Sequence, residues 1–146
     1  MKIEKELSEI RKAYQDADKS GKKTLEQLYG LLIVSDITKR VTSFETACAE
    51  LPPYEPPEET PRDVVAYGKL KVITEALNEG WTPDWSDEGQ QKWFPWFDFR
   101  GGRFVFDAVS YRYTYSILGS RLCFRTRELA EYAGKQFEDL YNQFLK

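Results

Sequence analysis

Three observations in the sequence predict an α+β fold. A run from Lys92 to Arg125 is crowded with aromatic residues and arginines and is broken by Gly101-Gly102, the composition of strands joined by a tight turn. Two stretches, about 61–79 and 127–145, carry apolar residues at three- and four-residue spacing and therefore read as amphipathic helices. The N-terminal part has the same helical spacing. Together these predict a three-stranded antiparallel meander over about 92–125, covered by the two helices and preceded by N-terminal helices, in a single domain of 146 residues.

Taken in order, Ile3, Leu7, Ile10 and Tyr14 share one face of a first helix, which Asp18-Lys19-Ser20-Gly21 is expected to break. Leu25, Leu28, Tyr29 and Leu32 mark a second helix from Thr24, weakened slightly by Gly30. Ile33-Val34-Ser35-Asp36-Ile37 is β-branched but too short to assign. Thr42-Ser43-Phe44-Glu45 has the form of a capping box opening a short helix through Leu51. Residues 1–51 thus form a helical N-terminal part, and the Pro/Glu-rich run 52–59 is an extended linker to an α+β core over 60–146.

In that core, Thr60 as N-cap and Pro61 at the first helical position start a helix whose stripe is Val65, Ala66, Leu70, Ile73 and Leu77, with Gly80 as its left-handed stop. Phe104 and Phe106 share one parity of the next strand and Val105 the other, so apolar residues fall on both faces, and both faces need cover. Tyr111, Tyr113 and Tyr115 alternate with Arg112, Thr114 and Ser116; their shared face is either core or an exposed aromatic platform. Thr126 then caps a final helix bearing Leu129, Ala133, Phe137, Leu140 and Phe144.

Composition removes several chemistries. The chain contains no histidine, so Ser-His-Asp triads, Cys-His pairs and most zinc sites are excluded. Cys48 and Cys123 are expected to be free thiols in a reducing, cytoplasmic setting, because the first residues are charged and no run is long and apolar enough to cross a bilayer. No cofactor fingerprint occurs. Asp84, Asp98 and Asp107, with Asp87 and Glu88, are the carboxylates that could hold Mg²⁺ for phosphoryl transfer or nuclease chemistry.

The net charge of −3 conceals two opposed blocks. Ser43 to Gln91 holds eleven acidic and three basic residues, whereas Lys92 to Arg127 holds seven basic and two acidic ones. Such asymmetry serves either an anionic partner or internal pairing. In the first case Arg100, Arg103, Arg112, Arg121, Arg125 and Arg127 would bind nucleic acid beside the stacking tyrosines. The loop Trp81-Thr82-Pro83-Asp84-Trp85 is rich in large aromatics, which either plug the end of the core or meet a ligand.

The phrases Leu77-Asn78-Glu79-Gly80-Trp81-Thr82-Pro83-Asp84-Trp85-Ser86-Asp87 and Gly119 to Phe137 resemble an uncharacterised family of small proteins associated with gut bacterial genomes, their phages and mobile elements. The resemblance runs from about Asp36 to the C-terminus and implies an accessory protein, with no assigned catalytic residue. Sequence and resemblance together lead to a non-enzymatic binding protein that acts through Trp81, Trp85, Tyr111, Tyr113 and Tyr115, with another protein or a second copy as partner. A nucleic-acid-binding module and a metal-dependent enzyme are the alternatives.

Overall fold

The computed structural model describes residues 2–29, 36–116 and 120–146, and the chain divides into two compact units, 1–40 and 41–146. In the first unit α1 spans Lys2–Asp16, α2 Lys19–Tyr29 and α3 Ile37–Arg40. The Tyr14 hydroxyl donates to Glu26 at 2.6 Å, tying α1 to α2. The chain breaks at Ala17-Asp18 as expected, but α2 starts at Lys19 and not Thr24, because the Asp18 carboxylate accepts the Gly21 amide at 2.8 Å and caps it. No residue of α2 is buried, and Leu28 is exposed. The expected contributions of Gly30, Leu32 and Ile33 to Ser35 lie outside the described residues.

In the second unit α4 spans Phe44–Glu50, with Ser43 rather than Thr42 as its cap. The Ser43 hydroxyl accepts the Thr46 amide at 3.2 Å and the Thr46 hydroxyl accepts the Ser43 amide at 2.9 Å. This is the reciprocal box one residue later than Thr42-Glu45 implied, with threonine replacing glutamate. The proline-acid run is extended yet tethered, for the Tyr54 ring lies against Gly68, where a Cβ would come within 2.2 Å of it. Helix α5 spans Arg62–Asn78 and buries Ala66, Leu70, Ile73 and Leu77; Pro61 is its cap position, and Glu79 already adopts the left-handed stop at φ 48°.

Among the described residues the expected meander is instead a two-stranded antiparallel hairpin, β1 Lys92–Arg100 and β2 Arg103–Arg112. Gly101 and Gly102 make its turn with φ of 58° and 81°, values that suit glycine at both positions. Two physical causes remove the third strand. The second and third expected strands are continuous, their break reduced to a bulge where Trp96 pairs with Ala108 but Phe97 pairs with Phe106, leaving Asp107 extra. The segment near Phe124 does reach the sheet, but on the other side of β1 and through a single bridge, with Trp93 and Phe124 exchanging bonds of 2.9 and 2.8 Å. The Asn78 side chain holds that segment, donating to the Cys123 carbonyl at 2.9 Å and accepting the Arg125 amide at 3.0 Å.

The final helix is also two helices, α6 Arg127–Gln136 and α7 Glu138–Leu145, meeting at Phe137, whose ψ is 24°. Thr126 caps α6 as expected, accepting the Leu129 amide at 3.2 Å. The break turns α7 so that its side chains take the outer backbone groups of β2. Asn142 donates to the Phe104 carbonyl at 2.7 Å and accepts the Phe104 amide at 2.8 Å, while Glu138 accepts the Phe106 amide at 2.8 Å. Among the described residues, no helix is long and apolar enough to cross a membrane.

Candidate functional site

Residues paired directly across a hairpin lie on the same face, so the register defines two faces. One holds Trp93, Pro95, Phe97 and Phe99 of β1 with Phe104, Phe106, Val109 and Tyr111 of β2. Helices α6 and α7 cover its middle: a Cβ on Gly134 would lie 2.4 Å from Phe106 and 2.8 Å from Pro95, and Tyr141 packs on Phe97 at 4.6 Å. The other face holds Lys92, Phe94, Trp96, Asp98 and Arg100 of β1 with Arg103, Val105, Ala108, Ser110 and Arg112 of β2, so an apolar strip of Phe94, Trp96, Val105 and Ala108 runs among polar and charged residues. Trp96 is 41% exposed there. On this strip Trp96 and Ala108 are exposed and Phe94 and Val105 half-buried; its parity is hidden in the sequence because the bulge at Asp107 reverses the alternation.

Beyond the helices the covered face ends in an exposed aromatic row. Trp93 and Tyr111 lie 4.8 Å apart between ring centres, and Tyr111 meets Tyr113 edge-on at 5.5 Å. Tyr113 and Tyr115 lie past the end of β2, and Tyr115 is 80% exposed. At the hairpin tip Phe99, 57% exposed, packs on Phe104 and lies under the Lys146 ammonium, which also donates to the Gly102 carbonyl.

Trp81 and Trp85 are half-buried, and the Trp85 ring takes part in the most unusual burial in the chain. Lys92 is fully buried, its ammonium 5.3 Å from the Trp85 ring centre and donating to the carbonyls of Gln90 at 3.0 Å and Asp87 at 3.3 Å. Burying an ammonium is costly unless its donors are satisfied, and this loop supplies the acceptors. The loop is in turn held by Asp84, which accepts from the Ser86 amide and hydroxyl at 2.9 and 2.6 Å; these bonds lower the Asp84 pKa. Trp85 and Asp84 thus shape a structural loop around Lys92. Nothing in a lysine's sequence position signals such burial.

Three of the six arginines of the basic segment are engaged by carboxylates. Arg100 pairs with Asp98 at 2.5 Å and Asp107 at 2.8 Å, Arg103 with Glu138 and Asp139 at 2.9 and 2.8 Å, and Arg125 with Glu79 at 2.9 Å. Of these five partners only Glu79 belongs to the acidic block from Ser43 to Gln91. Arg112 donates to the Ser110 hydroxyl at 2.9 Å and the Tyr111 carbonyl at 2.7 Å, while Arg121 and Arg127 are exposed. Asp84 lies in its own loop and Asp98 and Asp107 are on Arg100, so the three do not converge; among the described residues no cluster of three or more Cys, Asp or Glu is placed to hold a metal ion.

A groove of about 890 Å³ lies between the start of α5 and the end of α7, lined by Arg62, Asp63, Arg103, Asp139, Asn142 and Lys146 among others. Charges of both signs share it, so it carries no single-sign field for a charged ligand. Comparison of the chain with protein-family models, with curated proteins and with solved structures finds no match.

Proposed function

We propose that this chain is a non-enzymatic protein-binding module whose contact surface is the open hairpin face, fringed by Tyr111, Tyr113 and Tyr115. One observation carries this reading: a hairpin with apolar residues on both faces has helices on one face and an exposed Trp96 on the other. Exposed apolar strips bordered by polar residues are characteristic of protein contact sites, and Trp and Tyr are the side chains that most often anchor them. The accessory setting, in a phage or mobile element, rests on the resemblance of the two phrases alone.

A protein partner is favoured over nucleic acid because carboxylates already engage Arg100, Arg103 and Arg125. Such surface pairs add little stability, yet they weaken the positive field on which phosphate binding depends by engaging three of the six arginines. The test is titration of single-stranded DNA and RNA at low and physiological salt. No binding is expected in either condition. Micromolar binding that weakens with salt, and that Arg112→Ala or Arg125→Ala reduces, would replace this reading with the nucleic-acid one.

A further inference from the structure

We infer that β2 pairs edge to edge with β2 of a second copy of this chain, around a two-fold axis at Ser110. Trp93 directs its amide and carbonyl to Phe124, away from β2, so its partner Tyr111 directs its own backbone groups away from β1, and so does Val109 two residues earlier. The outer edge of β2 therefore has two halves. Asn142 and Glu138 occupy it at Phe104 and Phe106. At Val109 and Tyr111, among the described residues, the only bond is the one that the Tyr111 carbonyl accepts from Arg112. Neither proline, lysine nor bulge protects this second half, although chains ordinarily blunt a free edge by such means.

Pairing about Ser110 sets Val109 against Tyr111 of the second copy and Tyr111 against Val109, so each pair exchanges two backbone bonds. The side chains match on both faces. On the helix-covered face the row reads Trp93, Tyr111, then Val109 and Pro95 of the second copy, so the exposed Tyr111 ring gains an apolar neighbour. On the open face Arg112 meets the small Ala108 of the second copy and can reach beyond it to that copy's exposed Trp96 and Asp107, an arginine–indole contact with a carboxylate beside it. Arg112 has no carboxylate partner among the described residues, and Asp107, although paired with Arg100, keeps a side chain 48% exposed that can accept a second cation. The strands also stop where they must: the chain bends at Tyr113, ahead of the part of the facing edge that α7 occupies. A four-stranded sheet, β1-β2-β2-β1, results.

The contact is small, so a weak dimer is expected, with Kd on the order of tens of micromolar. The pairing is made by the backbone of the β2 edge and needs no ligand on the open face, although it sets Arg112 beside one side of the second copy's Trp96. Sedimentation equilibrium over a wide concentration range should show a monomer–dimer equilibrium. Hydrogen exchange should slow at the Val109 and Tyr111 amides as concentration rises. Val109→Pro removes a donor, and Ser110→Lys places two ammonium groups together at the axis; either should raise Kd at least about tenfold. The second variant keeps the test open if the proline disturbs β2. A chain that stays monomeric to millimolar concentration, a dimer indifferent to both substitutions, or protection of these amides only on adding an extended peptide of other sequence would each overturn the assignment.

Discussion

At Cys123 the thiol is 2% exposed, next to Phe124, and burial pushes its pKa up to about 11 from 9. A thiol is an acid, so between those values the native chain keeps a proton that the unfolded chain has lost. The stability this group contributes is complete below about pH 9 and is lost as pH rises through about 11. Burial raises the Tyr141 phenol in the same sense. Alkaline denaturation is therefore expected from pH 9 upward, with a shallower pH dependence in Cys123→Ala, as followed by denaturant midpoints at each pH. A thiol reagent at neutral pH should modify Cys48 in the native chain and Cys123 only on unfolding; equal rates would contradict the burial. Tyr141 has a second consequence, since its hydroxyl is buried with no hydrogen-bond partner among the described residues. Removing an unsatisfied hydroxyl recovers its desolvation, so Tyr141→Phe should leave stability unchanged or raise it by about 1 kcal/mol. A loss of more than about 1 kcal/mol would reveal a partner for that hydroxyl.

At the scale of elements, two contacts fix the helices on the hairpin. Gly134 allows α6 to approach Phe106 and Pro95, and a methyl group there must push the helix off the sheet. Gly134→Ala should therefore cost about 1–3 kcal/mol, the usual penalty for overpacking, although alanine is the better helix former. Asn78→Ala should cost about 2–3 kcal/mol, because it strands the Cys123 carbonyl and the Arg125 amide. Urea midpoints measure both, and a neutral Gly134→Ala would mean that α6 packs elsewhere.

These contacts also mark where the sequence is legible. The spacing of Ala66, Leu70, Ile73 and Leu77 revealed α5, and Gly101-Gly102 revealed the hairpin, because both signals are local. The merging of two expected strands was hidden because one extra residue at Asp107 looks like the end of a strand. The break at Phe137 has no proline or adjacent glycine to announce it. The capping of β2 by Asn142 and the burial of Lys92 depend on groups that meet only in the folded chain. Of the named site residues, Tyr111, Tyr113 and Tyr115 are exposed, whereas Trp96, which the parity argument passed over, is the open-face aromatic that the proposal now needs.

At the scale of the molecule, the charge blocks that looked like two opposed surfaces are resolved in part over short distances. Arg100 is held within its own hairpin and Arg103 by α7, so these two charges are met locally and not by the acidic block from Ser43 to Gln91. What remains distinctive is apolar: an open sheet face with aromatic residues at its fringe and tip. The central claim is that this surface binds protein. Site-specific photo-cross-linking tests it most directly, with a benzophenone side chain at Trp96 or Tyr113 and, as control, at the exposed Val64 of α5, in the cells from which the chain derives. The account predicts a discrete adduct with a second protein from positions 96 and 113, resistant to nuclease and absent from position 64. Adducts that nuclease destroys, or no adduct from either hairpin position, would contradict it.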